Sequence, residues 1–549
     1  MCPDPKLQTK KYYFVVEEAG QKPLATSMVK QKSKIKLEFT LENCQENHRY
    51  QINSTFIESY SSPFTSENVL FKSNKLNQLN SITFNSRLIC DYLFEKTQTL
   101  IINLMKDSNI VGSKNITLGN IVGSPNSSYK TDIGDNTYIV ISAESCDSDS
   151  NSYIEVDFKV DSNNVDLNKI KNLISYGIYS NNRKIYYSES ISRRGEFDIV
   201  KIPVSLLKDG FTVIFLNAWQ ETIGTRYEPN IENFKNPSSQ LYLNLIDDRK
   251  LLFYIYNKSR LIKNYDFIDY LRNGVTIKLT IGIDYTNSNK DPRDPLSLHY
   301  LGGQNNYEKA INACGKVVSY YEHNQSFPVY GFGAIIKGQN EPNFCFNINF
   351  QNNPEIYTID GVIREYRNSF NNLILYGPTY FSPLIIKAIE RIKIENDPLK
   401  YHILLIMTDG IIDDMQQATD ALVEASFLPL SVIIIGIGND DFTKMIELDG
   451  DDNPLTNSKG VKRMRDLVQF VPFNKYKYDP NKLAEQVLEE VPRQIIEYYT
   501  MNNIDPDNLQ QARINSSALN SVPMQSNIYN SINNMRNNNT NIKNSSIYY

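Results

Sequence analysis

The sequence is short of the residues from which most catalytic and metal-binding motifs are built. Only four histidines occur in 549 residues, His48, His299, His323 and His402. They stand without ligand spacing, and ordinary structural roles are expected of them. The six cysteines, Cys2, Cys44, Cys90, Cys146, Cys314 and Cys345, include no Cys-x-x-Cys pair. That excludes zinc-finger and RING readings and fits reduced, buried thiols in the cytosol. No apolar run approaches the roughly 20 residues of a membrane-spanning helix; the longest are Ile403 to Met407 and Ser431 to Ile437. Met1 to Lys6 lacks the basic start and apolar core of a secretory signal, so export by that route is not expected. A net charge of −5 gives no global drive toward nucleic acid or anionic lipid, and no nucleic-acid partner is expected. The glycines of Gly331-Phe332-Gly333-Ala334 and Gly436-Ile437-Gly438 lack the complete spacing and the Lys-Ser/Thr ending of phosphate-cradling loops.

What is present is enough apolar material, 41% of residues, for several ordinary cores. From about Ser33 to Leu261 short apolar runs such as Ile35 to Phe39, Leu100 to Leu104, Tyr138 to Ile141 and Phe211 to Leu216 alternate with Asn, Ser, Asp and Gly clusters, the texture of all-β sandwiches. Two weakly similar halves divide near residue 136, which predicts a sandwich over 1–136 and a second over 137–262. From 263 to 500 strands alternate with helices. Val275 to Ile283, Tyr401 to Met407 and Leu430 to Ile437 are near-continuous apolar strands, and helices are predicted over 306–321 and 414–426. Strands apolar on both faces mean a parallel, doubly wound α/β sheet, whose ligands sit beyond the strands' carboxyl ends. The Asn-rich segment 501–549 has too few large apolar groups to offset chain entropy and reads as a disordered tail.

Three loops of the α/β region present oxygen ligands. Asp284-Tyr285-Thr286-Asn287-Ser288 follows the first strand, Thr379 lies in Gly377-Pro378-Thr379, and Asp409 in Thr408-Asp409-Gly410 follows another strand. Asp284, Thr286, Ser288, Thr379 and Asp409 together offer only hard oxygen donors, which suits a small divalent cation with one position left open. No histidine, cysteine or lysine in these motifs is placed as base or nucleophile, so an adhesive contact is expected rather than an enzyme.

Those loops resemble the metal-ion-dependent adhesion site of a von Willebrand factor A domain. Their surroundings resemble the copine family: Pro295 to Tyr300, Gly331 to Ala334, Leu375 to Thr379, Leu405 to Met415, Leu448 to Asp452 and Val468 to Phe473. The resemblance implies two C2 domains ahead of the A domain and Mg²⁺ or Mn²⁺ held by the five residues, some directly and some through water. Thr286 stands where the family more usually has Ser and keeps the hydroxyl. It also implies a peripheral membrane protein in signalling or membrane trafficking, cytoplasmic and recruited to plasma membrane or endomembranes. Such a protein binds anionic phospholipid and recruits protein partners through an acidic side chain.

Family members bind phospholipid in response to Ca²⁺, and that part is poorly supplied here. Ca²⁺ needs six to eight oxygens. The first sandwich offers little beyond Asp107; the second has Asp157, Asp161 and Asp166 in one loop, but no aspartate in Asn217 to Gly224. Weak or absent calcium dependence is therefore expected. Lys34 and Lys36, on one face of the opening strand, and Trp219, in a strand-end loop, are the candidate lipid contacts, against a solvated edge and a core position respectively. The other reading is a soluble interaction scaffold whose sandwiches have lost lipid and calcium binding.

Overall fold

The computed structural model describes residues 13–15, 33–45, 48–56, 71–76, 80–146, 152–156, 158–160, 174–180, 183–191, 197–207, 210–217, 219, 221–222, 228, 240–244, 252–257, 260–450 and 454–509. The chain divides into two compact units, 1–29 with 146–266, and 30–145 with 267–549.

In the larger unit the strand Ser33–Cys44 alternates strictly: Ile35, Leu37, Phe39 and Leu41 are fully buried, and the residues between them face outward. That period of two is what a sheet with one wet face requires. The strand pairs antiparallel with Thr137–Ser145, from Ile35 opposite Ser145 to Glu42 opposite Tyr138. Asn80–Thr83, Leu88–Tyr92 and Ser128–Gly134 complete that sheet. A second antiparallel sheet has the order Phe71–Lys72, Tyr50–Phe56, Thr99–Lys106, Asn109–Thr117. The expected division at residue 136 is corrected by this register. Thr137–Ser145 buries Ile139, Ile141 and Ala143 in the first sandwich, which therefore runs to Ser145.

The smaller unit is also all β, with a core of Ile154, Val156, Phe158, Tyr176, Phe197 and Phe215, whose rings meet edge-on or tilted. Its first described strand, Tyr13–Val15, runs parallel to Ile199–Pro203. The segment expected to open the first sandwich thus adds a strand to the second.

The α/β region of the larger unit supplies the scaffold for the candidate site. Its main elements are β1 (Thr276–Asp284), α1 (Asn306–Val318), β2 (Ser326–Phe332), α2 (Ile359–Ser369), α3 (Ser382–Glu395), β3 (Lys400–Thr408), α4 (Met415–Ala425), β4 (Leu430–Gly436), α5 (Thr443–Asp449), β5 (Val468–Pro472), α6 (Pro480–Leu488) and α7 (Val491–Met501). The strands β2-β1-β3-β4-β5 are parallel neighbours in that order, with Phe346–Asn347 antiparallel on the β2 edge. Every residue of β2 and β4, and all but the first of β1 and β3, are buried, as a sheet covered on both faces demands. From β1 the chain passes to β2 on one side and later to β3 on the other. The switch point of the sheet therefore lies between the carboxyl ends of β1 and β3, where open α/β sheets form their ligand crevice. The helix α1 begins with a reciprocal capping box between Asn305 and Glu308 and ends at Val318, followed by one 3₁₀ turn over Ser319–Tyr321. The expected tail starts too early at 501: α7 reaches Met501 and Leu509 is fully buried, while residues 510–549 lie outside the described residues.

Candidate metal centre

Asp284 is the last residue of β1, and Asp409 directly follows β3, so strand pairing alone sets their two backbones side by side at the switch point. Both side chains are buried, at 0% and 4% exposure. Asp284 Oδ1 accepts from the Thr286 N–H at 2.7 Å and from Thr286 Oγ1 at 2.6 Å, and its Oδ2 accepts from Thr408 Oγ1 at 2.5 Å. Ser288 Oγ donates to Asp409 Oδ1 at 2.9 Å and lies 2.9 Å from Thr286 Oγ1. Thr379, also buried, comes from the loop before α3. Its Oγ1 and Ser288 Oγ both border the space beside Gly410, where a Cβ would stand 3.4 Å and 3.8 Å from them. The structure thus brings together all five residues expected at the site.

A proton count shows what this cluster lacks. Asp284 Oδ1, Thr286 Oγ1, Ser288 Oγ and Asp409 Oδ1 form a row with three contacts. With both carboxylates ionised there are two hydroxyl protons for those three contacts, one donated to each carboxylate, so oxygen lone pairs face each other between Thr286 and Ser288. Either a proton or a cation must supply the missing positive charge. Among the described residues no lysine or arginine forms an ion pair with either aspartate. Burial, followed by the neighbouring Asp284 carboxylate, accordingly pushes Asp409 up to about 7, and burial raises Asp284 as well. Two buried carboxylates and three hydroxyls fit a hard divalent cation. The described residues contain no group of three or more His, Cys, Asp or Glu placed to hold a metal, so this mixed acid and alcohol set is the donor cluster to weigh.

Several supporting residues escaped the sequence reading. His299 is fully buried, and its Nε2 lies 2.9 Å from the Asp284 carbonyl, which can only accept; Nδ1 therefore accepts from Tyr366 OH at 2.7 Å. Burial depresses its pKa to about 3, so the ring stays neutral while it fixes the end of β1. Asp413 accepts from the Thr379 N–H at 2.8 Å, and Asp414 accepts from the N–H groups of Phe381 and Ser382 at 2.9 and 2.8 Å. Two carboxylates thus hold the Thr379 loop and the start of α3 against the Asp409 loop. Gly333, at φ +80°, has no room for a Cβ, which would overlap Thr286 Cγ2. These contacts join residues 15 to 67 positions apart, which local spacing does not reveal.

The other expected positions are not brought to one place. Lys36 is ion-paired with Glu144 at 2.7 Å, and Glu144 also takes Arg272 at 2.7 Å. Lys34 shares the outward face of that strand. Asp107 is occupied by His48 Nδ1 at 2.6 Å and the Arg49 N–H at 2.9 Å. Trp219 is 78% exposed in the turn after Thr212–Leu216, which removes the core reading of that ring. Asp157, Asp161 and Asp166 lie outside the described residues.

The family model described as Copine matches residues 297–507. Among solved structures, the chain is similar to the manganese-loaded TRAP protein of Plasmodium vivax at 11% identity, with a TM-score of 0.24, over 37% of this chain and 70% of that one. It is similar to the calcium-bound C2A and C2B domains of Extended-Synaptotagmin 2 at 9% identity, with a TM-score of 0.18, over 42% and 96%. Proximal thread matrix protein 1 from the mussel byssus, with a zinc-occupied MIDAS motif, is similar at 15% identity, with a TM-score of 0.24, over 39% and 47%. At these values the structural similarities carry neither ligand nor role across. The copine match covers β2 to β5, the Thr379 and Asp409 loops and the helices around them, stops short of β1 and the Asp284 loop, and identifies residues 297–507 as similar to a copine domain.

Proposed function

We propose that the chain is a peripheral membrane adaptor in which the sandwiches dock on anionic phospholipid and the α/β domain recruits a protein partner through a divalent metal. Asp284, Thr286, Ser288, Thr379 and Asp409 would hold Mg²⁺ or Mn²⁺. The metal would supply Lewis acidity toward an incoming carboxylate on the partner. The chain's own residues set the rest: Thr286, Thr408 and Ser288 orient the two carboxylates, His299 and the Asp413–Asp414 pair fix the three loops, and burial makes the carboxylates avid for a cation. The single observation that carries this reading is the row of four oxygens at the switch point of the sheet, which with both carboxylates ionised is one positive charge short. The test is titration calorimetry with Mg²⁺ and Mn²⁺ on the chelator-stripped chain and on Asp409→Ala.

No helix of the described residues is long and apolar enough to cross a membrane. In this reading membrane contact is peripheral and reversible, from the cytoplasm, with exposed Trp219 and Lys34 as the candidate lipid contacts. The second reading, a soluble scaffold, has one observation in its favour: Asp107 and Lys36, groups the first sandwich would use toward Ca²⁺ or lipid, already have protein partners. Sedimentation with anionic liposomes, in calcium and in chelator, separates the two.

A further inference from the structure

A second site stands apart from the metal centre, within the larger unit. A cleft of about 500 Å³ opens where the loop Glu95 to Thr97 of the first sandwich meets α1 and the start of α6, and four lysines line it: Lys96, Lys309, Lys316 and Lys482. Lys309 and Lys316 are seven residues apart on α1, two helical turns, and so share a face.

Three carboxylates, Glu95, Asp479 and Glu485, line the cleft beside the four lysines, which leaves the wall one positive charge in excess. Glu485 lies 3.5 Å from Lys96. Asp479 caps α6 by accepting from the Lys482 N–H at 3.0 Å, and Glu95 is buried at 2% exposure. Among the described residues the ammonium groups of Lys309, Lys316 and Lys482 form no ion pair with a carboxylate. In a chain of net charge −5, a concave wall with lysine in excess by one charge, and with the Lys309, Lys316 and Lys482 ammonium groups outside any ion pair, is a local reversal of sign. Gln304, Asn312 and Asn481 add neutral amide donors and acceptors to the wall.

From this we infer that the cleft is a binding site for a phosphorylated polyol. Lysine binds phosphate as a point charge from any direction, so several lysines around a cavity suit a ligand with more than one phosphate group better than a planar carboxylate, for which arginine forks are the match. The amides suit the hydroxyls of a sugar-like ring, and the volume suits one such ring. The same chemistry is found in a soluble inositol phosphate and in a phosphoinositide headgroup. An occupant would touch both the sandwich loop and two helices of the copine domain and so brace them together. The inference does not depend on the metal centre.

The test uses the full chain in EDTA at physiological salt, titrated with myo-inositol 1,4,5-trisphosphate and, separately, sedimented with vesicles containing phosphatidylinositol 4,5-bisphosphate. The triple variant Lys309→Gln, Lys316→Gln, Lys482→Gln is compared with a control, Lys337→Gln with Lys459→Gln, at two exposed positions away from the cleft. Melting temperature checks that both variants fold. Trisphosphate binding that weakens at least tenfold in the triple variant and less than twofold in the control supports the site. If vesicles pellet the chain with the same dependence, the source is a lipid headgroup; if they do not, it is a soluble phosphate. Absence of trisphosphate binding, or equal weakening in both variants, overturns the inference.

Discussion

Replacing Asp409 by alanine removes one of the two buried carboxylates and leaves Asp284 with its three hydrogen bonds intact. The expected outcome is loss of Mg²⁺ and Mn²⁺ binding by calorimetry, with a melting temperature in chelator that is unchanged or higher, because a buried like charge has gone. The pH dependence follows from the same residue. The folded chain keeps a proton on Asp409 up to about 7, whereas in the unfolded chain its ordinary value is 3.8. The stability this contributes is fully present below about pH 4 and is lost as pH rises to about 7. In chelator, Asp409→Asn should flatten that decline in a series of denaturant titrations from pH 4 to 8; an equal slope in variant and parent would remove the claim that Asp409 is strained when ionised. Asp284, Thr286, Ser288, Thr379 and Asp409 were legible because each closes or follows an apolar strand or a turn motif. His299 was not, because nothing near it in sequence announces that its ring spans the Asp284 carbonyl and Tyr366.

At the scale of elements, the site depends on loops held by backbone contacts. Asp414 accepts two N–H groups at the start of α3, both of which alanine would leave unpaired in a buried setting. Asp414→Ala should cost roughly 2 kcal/mol of stability by denaturant titration and weaken metal binding by displacing Thr379, whereas Asp414→Asn, whose single acceptor oxygen can serve only one of the two N–H groups, should recover only part of the stability. Gly333→Ala faces both the positive φ and the overlap with Thr286. A loss of about 1–2 kcal/mol is expected, together with weaker metal binding; a variant as stable as the parent would show that the Thr286 loop tolerates displacement. The long strands of the sheet were legible from their apolar runs because burial on both faces writes itself into consecutive residues. The 136/137 division was misplaced for the opposite reason. A β-strand carries no local mark of which sheet it will join, and only the pairing with Ser33–Cys44 places Thr137–Ser145 in the first sandwich.

For the whole molecule, the larger unit joins the first sandwich to the copine domain through a buried aromatic contact. The Tyr92 and Tyr321 hydroxyls hydrogen-bond to each other, Phe94 packs on Tyr321 and Phe267, and His323 Nε2 donates to the Gly123 carbonyl at 2.7 Å. Tyr92→Phe should leave Tyr321 without that partner and lower stability by about 1 kcal/mol. Nothing in the composition foretold this junction, since tyrosine is common throughout the chain and only the fold selects the pair. At the same scale, liposome sedimentation should be nearly the same in calcium and in chelator, because Asp107 is already taken by His48 and Arg49. The central claim, however, concerns the carboxyl ends of β1 and β3. Calorimetric titration of the chelator-stripped chain with Mn²⁺ at pH 7.5 tests it most directly: one saturable site is predicted in the parent and none in the folded Asp409→Ala variant, and a variant that binds as the parent does would contradict it.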